Sequence, residues 1–176
     1  NQFLEGTGSM ILDRPNKIVY ACLSPRTNIF LLDRFCLLMN YQLVSFFSTD
    51  QNNKEIYHTN VMMAIADKYA VVCLESIRDE DKRNEVIHSL ENSGKEIIEI
   101  SFDQVLQFAG NMLQVEGSGG QKYMVMSERA YNSLSKEQIN AIEMYDKILS
   151  IPINNIEKYG GGSVRCMMAE VFLPKK

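Results

Sequence analysis

The sequence predicts an α/β chain built from a repeated β-β-α-β module, about three copies of it followed by the first strand of a fourth. Three observations lead there. A small or polar residue stands before a strand-like run at Ser9, Asn60, Asn111 and Ser163, and these are 51, 51 and 52 residues apart. After each of the first three, a second strand-like run follows a short turn, at Lys17–Leu23, Tyr69–Glu75 and Lys122–Ser127. A helical pattern and one more strand-like run then complete each module.

The elements follow in order. In the first module Ile29, Leu32, Phe35, Cys36 and Met39 recur at helical spacing from Thr27 onward, and Gln42–Phe47 reads as the closing strand. In the second, Ile77–Glu91 is charged on one face and carries Val86, Ile87 and Leu90 on the other, with Glu96–Ile100 as its strand. The acidic start of that helix, Asp79–Glu85, suits the positive end of a helix dipole, and His88 sits on its solvated face. In the third, Leu134, Ile139, Ile142 and Tyr145 mark Glu128–Tyr145, split by a capping-box pattern at Ser135 and Gln138, before a strand at Lys147–Ile151. Short helical turns are expected at Ser101–Phe108 and Asn154–Tyr159. The modules span about 5–52, 56–108 and 109–160 of a single domain, 1–176, and a final strand is expected over 163–174. A sheet this small cannot cover both its faces and must pack on its neighbours. Modules set around an axis would bring equivalent strand ends to one opening.

Composition limits the functions open to such a chain. It has 176 residues, 45% hydrophobic and 23% charged, with a net charge of −4. That balance carries no general electrostatic footprint for nucleic acid. No run of 18 apolar residues is present, so no spanning helix is expected. The four cysteines show neither disulfide nor zinc spacing, which favours a reducing, cytoplasmic setting. Cys22, Cys36 and Cys73 lie in apolar runs and read as small buried hydrophobes; Cys166 follows Gly160–Gly162 and an arginine.

Glu5, His58 and Cys166 therefore fall near equivalent module starts. A thiol to attack, an imidazole to move protons and a carboxylate to orient a cation or the imidazole are the parts of a cysteine-nucleophile system. Taken singly, each has a plainer reading: a loop acid, a surface imidazole, a core strand thiol. The glycines permit close backbone approach beside Cys166, but neither GxGxxG nor a P-loop lysine is present. Gly117–Gly120 reads as a hairpin turn.

These segments resemble the guanidino-group-modifying enzymes, or penteins, over nearly the whole chain. LEGTGSMILD is similar to the segment that supplies an acidic site residue, here Glu5. LSPRTN resembles a segment of the dimethylarginine hydrolases whose arginine binds the substrate carboxylate, here Arg26. YHTNVMMAIA resembles the catalytic-histidine segment, placing that role on His58, and GGGSVRCMMAEVFLP the stretch before the nucleophile, Cys166. The resemblance implies a five-fold propeller of ββαβ modules. It also implies a mechanism without metal or cofactor: Cys166 attacks the central carbon, His58 protonates the departing amine and then activates water, Glu5 holds the nitrogen head group, and Arg26 anchors the carboxylate.

The deiminases carry His-x-Asp where this chain has His58-Thr59-Asn60. A neutral amide with one donor end and one acceptor end suits a ureido group better than a cation, and the His58-Thr59-Asn60 form, with the surrounding VMM and GGGSVRCMMAE text, most resembles a citrulline hydrolase branch of the superfamily. Asn111 occupies the same place in the next module, so Asn60 also reads as a plain strand-start residue. The expected function is hydrolysis of a guanidino or ureido C–N bond in a small amino acid, citrulline or arginine. An amidinotransferase is the neighbouring alternative, which needs water kept from the intermediate; a non-catalytic binding pentein is the other. A five-module ring needs roughly eighty more residues at the N-terminus. Asn1 accordingly reads as a cut point, and missing N-terminal modules or another chain would complete the site; a homo-oligomer is a separate open alternative.

Overall fold

The computed structural model describes residues 2–172. Its strands form three separate three-stranded sheets of one design. The first unit holds a helical turn α1 (Gly6–Ser9), β1 (Ile11–Asp13), β2 (Ile18–Cys22), α2 (Ile29–Met39) and β3 (Gln42–Phe46). The second holds β4 (Met63–Ile65), β5 (Tyr69–Val72), α3 (Glu80–Asn92), β6 (Glu96–Glu99) and α4 (Phe102–Leu106). The third holds β7 (Leu113–Glu116), β8 (Lys122–Ser127), α5 (Glu128–Ser133), α6 (Lys136–Glu143), β9 (Lys147–Ile151) and α7 (Asn154–Gly160).

In every sheet the first two strands form an antiparallel hairpin and the third returns parallel to the second across the helix. The register repeats: Ile18 pairs Gln42, Tyr69 pairs Glu96, and Tyr123 pairs Lys147. The central strands are apolar on both faces because both are covered; β2 and β5 are buried at every residue. The helices start where polar side chains meet free backbone N–H groups. Asn28 accepts from Phe30 and Leu31, Asp79 from Lys82, and Ser135 and Gln138 form the expected reciprocal box. The Asp79 cap starts α3 at Glu80, leaving Ile77 buried in the turn before it.

The units join along a repeated seam. Tyr20 Oη lies 2.8 Å from Ser89 Oγ between the first and second units, and Tyr69 Oη donates to Asp146 Oδ2 at 2.7 Å between the second and third. Beside the first contact Lys95 Nζ pairs with Asp13 Oδ2 at 2.8 Å; beside the second, Gln114 donates to both oxygens of Asp146. One apolar core runs through all three units, from Ile11 to Ile142. A smaller one, with Met10, Val19, Ala21, Leu32 and Cys36, lies under α2. The first strands β1, β4 and β7 neighbour one another in turn.

The expected strand over 163–174 is not formed among the described residues; 173–174 lie outside them. Val164–Met167 is a single tight helical turn instead. The backbone N–H groups there are already committed: Arg165 N donates to Asn111 Oδ1 and Cys166 N to the Ser163 carbonyl, which leaves no ladder for a strand.

Candidate active site

The site is assembled from the starts of successive units. Ser9, fully buried, accepts the backbone N–H of Glu5 at 2.9 Å and donates to the carbonyl of Arg26 at 2.9 Å. It thereby fixes the two loops that carry the predicted carboxylate and guanidinium. Thr59 Oγ1 donates to the Ser9 carbonyl at 2.6 Å and accepts from Cys22 N at 2.8 Å, so the segment after His58 is tied to the same point.

His58 Nε2 is 2.7 Å from Glu5 Oε2. The Arg26 guanidinium lies 3.6 Å from the same oxygen and over the Tyr57 ring, which itself packs 4.9 Å from the imidazole. Gly8 sits directly against the imidazole: a Cβ there would be 2.9 Å from two of its ring atoms. Glu5 thus orients the histidine in this structure. Glu5 and Arg26 both lie outside the lining of the cavity that holds the thiol.

That cavity, of about 280 Å³, brings together His58, Asn60, Asn111, Gly162, Ser163 and Cys166. Val105, Leu106 and Phe108 supply an apolar wall. A larger groove of about 500 Å³ runs along the first strands and contains no nucleophile or imidazole. Cys166 is the exposed cysteine; Cys22, Cys36 and Cys73 are buried. Burial pushes the Cys22 thiol up to about 12 and the Cys73 thiol up to about 11, and raises Cys36 as well. The three buried thiols keep their protons at neutral pH, and Cys166 is the one that lines this cavity.

Asn60 Nδ2 points to Cys166 Sγ at 4.0 Å, and Asn60 Oδ1 is buried without a hydrogen-bond partner among the described residues. Such an acceptor is costly unless a ligand or water meets it. Asn111 Nδ2 is 3.4 Å from the sulfur. Behind the thiol, Gly161 turns the chain in the left-handed region (φ 71°) and Gly162 packs 3.1 Å, measured from an added Cβ, from Cys166 Cβ. Ser163 Oγ donates to the buried Glu157 at 2.6 Å, holding this turn to α7. Among the described residues no group of three or more His, Cys, Asp and Glu side chains is placed to hold a metal ion, and no helix is long and apolar enough to cross a membrane.

Sequence reasoning missed Asn111, Gly8 and Phe108 as parts of the site. Only Asn111 left a signal, its 51-residue spacing from Asn60.

Comparison with known folds finds ArgZ, an arginine dihydrolase of the cyanobacterial ornithine-ammonia cycle. Its TM-score is 0.72 at 17% identity, over 93% of this chain and 24% of that one. AgrE, in a ternary complex with ornithine and NAD+, gives 0.71 at 19% identity over 98% and 23%. The C. jejuni agmatine deiminase gives 0.53 at 13% identity over 94% and 55%. At these identities the likeness is one of fold, and the chain spans about a quarter of the full-length ArgZ and AgrE chains. No curated protein matches the chain. The family described as N,N dimethylarginine dimethylhydrolase, eukaryotic, matches residues 1–173. With that match over nearly its whole length, the chain belongs to the dimethylarginine dimethylhydrolase family, within the guanidino-modifying superfamily.

Proposed function

We propose that this chain carries the nucleophile of a hydrolase acting on the C–N bond of a guanidino or ureido amino acid. The observation that carries the reading is one cavity that gathers an exposed thiol, an imidazole oriented by a carboxylate, and two buried amides facing the sulfur. The Cys166 thiolate adds to the central carbon, forming an S–C bond. As the C–N bond to the departing amine breaks, His58 delivers the proton that amine needs. Water then adds to the same carbon while His58 takes its proton, and the S–C bond breaks to return the thiolate. The intermediate is a thiocarbamate from a ureido substrate and a thiouronium from a guanidino one. The N-terminal domain of ArgZ, a fold neighbour, has been captured covalently bonded to a reaction intermediate.

Citrulline is the preferred substrate on this reading. The unpartnered Asn60 Oδ1 accepts from a ureido N–H, and its Nδ2 donates to a carbonyl oxygen, a pairing that a neutral head group satisfies and a cation does not. Glu5 acts through His58, and Arg26, stacked over the Tyr57 ring, offers a cation to the substrate carboxylate. An exposed thiol meets water, which favours hydrolysis over transfer to an amine. The three like units, each with its first strand beside the next, support a propeller-type ring that further units or another chain would close. Four free thiols fit a reducing compartment such as the cytoplasm.

The test is product analysis of the intact protein with citrulline, arginine and dimethylarginine side by side, Cys166→Ala being the control. Ammonia or ornithine from citrulline, lost in the control, supports the reading. Release from arginine or dimethylarginine alone refutes the citrulline preference, and no turnover of any of the three refutes the hydrolase.

A further inference from the structure

We propose that the loop before His58 recognises the backbone end of an amino-acid substrate, Asp50 taking its α-ammonium group and Lys54 adding a second cation at its α-carboxylate. The inference rests on the reading of this cavity as a substrate site, and deepens it by naming what separates an amino acid from other ureido or guanidino compounds.

Cys166, His58, Asn60 and Asn111 supply the chemistry and the head-group contacts of the cavity. Asn60 Oδ1, buried and without a partner among the described residues, calls for a polar ligand there. Nothing in that set answers the two charges at the other end of an amino acid, and Arg26 lies outside the lining. The other charged side chains of the lining are Asp50, Lys54 and Glu55, all from one loop. Lys54 and Glu55 are exposed and Asp50 is half-buried, so this loop stands on the solvent side of the two buried amides. An α-amino acid carries a cation and an anion on one carbon. A carboxylate and an ammonium side by side on the wall are the electrostatic complement of that pair. A ligand with one charge would leave one of them unmatched.

The loop is firmly mounted. At its base Ser48 Oγ meets Ser76 Oγ at 2.7 Å in a buried contact. Thr49 N donates to the Ser76 carbonyl at 3.0 Å, and Ile56 N returns to the Ser48 carbonyl at 3.0 Å. Arg78 donates to the Asp50 carbonyl at 3.2 Å. At the tip, Asp50 Oδ1 accepts the backbone N–H of Asn52 at 2.8 Å and of Lys54 at 2.9 Å. One oxygen of the carboxylate is committed to the turn, which fixes the place of the other for a ligand. A group set in place before binding loses less freedom on binding. Glu55 is exposed, where solvent screens a carboxylate, so the ammonium falls to Asp50.

Binding is measured by calorimetry on the intact protein carrying Cys166→Ala. The ligands are citrulline, 5-ureidopentanoate, which lacks the ammonium, and (4-aminobutyl)urea, which lacks the carboxylate. Asp50→Asn keeps the turn, because an amide oxygen accepts the same two N–H groups, and removes the charge. It is expected to weaken citrulline and (4-aminobutyl)urea roughly tenfold and to leave 5-ureidopentanoate within about twofold. Lys54→Gln is expected to weaken citrulline and 5-ureidopentanoate roughly five- to tenfold and to spare (4-aminobutyl)urea. Asp50→Asn that weakens citrulline and 5-ureidopentanoate alike, or neither, overturns the ammonium assignment. Lys54→Gln that weakens citrulline and (4-aminobutyl)urea alike, or neither, overturns the carboxylate assignment. Where arginine is the compound bound, the same series is run with the guanidino analogues; binding of neither amino acid overturns the proposal. Turnover is followed separately in the protein that retains Cys166. Discrimination among the ligands without turnover counts against the hydrolase alone, and turnover with that discrimination unmoved by the variants counts against the loop alone.

Discussion

His58 Nε2 and Glu5 Oε2 lie 2.7 Å apart, although 53 residues separate them in the chain and they belong to different units. The bond uses the ring nitrogen that faces the carboxylate and leaves Nδ1 as the other. Glu5→Gln keeps the shape but replaces the carboxylate beside the ring with a neutral amide. Turnover is expected to fall by roughly ten- to a hundredfold with KM little changed. Steady-state kinetics checks this; an equal rise in KM with unchanged kcat would instead assign Glu5 to substrate binding.

Gly8 is the floor on which the imidazole rests. A methyl group there meets two ring atoms at 2.9 Å and a third at 3.0 Å. Gly8→Ala is expected to cost about 1–3 kcal/mol of stability and to displace the ring from Glu5, so that activity falls far more than folding does. Parallel measurement of urea midpoint and turnover separates the two effects.

Lys95 and Asp13 form an ion pair whose side chains are 2% and 1% exposed. Removing one partner strands the other charge inside the seam between the first two units. Lys95→Met is expected to destabilise the protein by about 3–5 kcal/mol, and the double change with Asp13→Leu to recover much of that. Equilibrium urea unfolding of the three proteins reads the difference.

Alkaline pH is expected to destabilise the chain. Burial raises Cys22 from 9.0 to about 12 and Cys73 from 9.0 to about 11, and raises Tyr20 and Tyr69 too. The folded state keeps these protons where the unfolded chain has lost them. The stability they contribute is whole below about pH 9 and declines as pH rises toward about 12. Urea midpoints at about pH 8 and about pH 10.5 should show the loss, with a shallower slope in Cys22→Val.

Much of the fold was legible because its signals are local. The strand expected at Lys122–Ser127 has those bounds, and the Ser135–Gln138 box divides two helices where its pattern lies. The polypeptide around Cys166 was misread as a strand because its apolar letters match one, whereas Asn111, a side chain from 54 residues earlier, takes the N–H that a ladder would use. Glu5, His58 and Cys166 were placed near one another by the repeat, yet that His58 would engage Glu5 directly, and that Gly8 would lie under the ring, depends on packing between units. No spacing along the chain encodes it.

The seams between units acquire a further meaning from this arrangement. Glu5, His58 and Cys166 are mounted on different parts of the repeat, like components bolted to separate plates. Their alignment carries the summed tolerances of every joint between them. Tyr20 with Ser89 and Tyr69 with Asp146 are those joints. A displacement of about 1 Å between reacting groups is enough to slow a reaction by two orders of magnitude. Substitutions at either tyrosine hydroxyl, remote from the thiol, then act as misalignment of the machine while every working part stays intact.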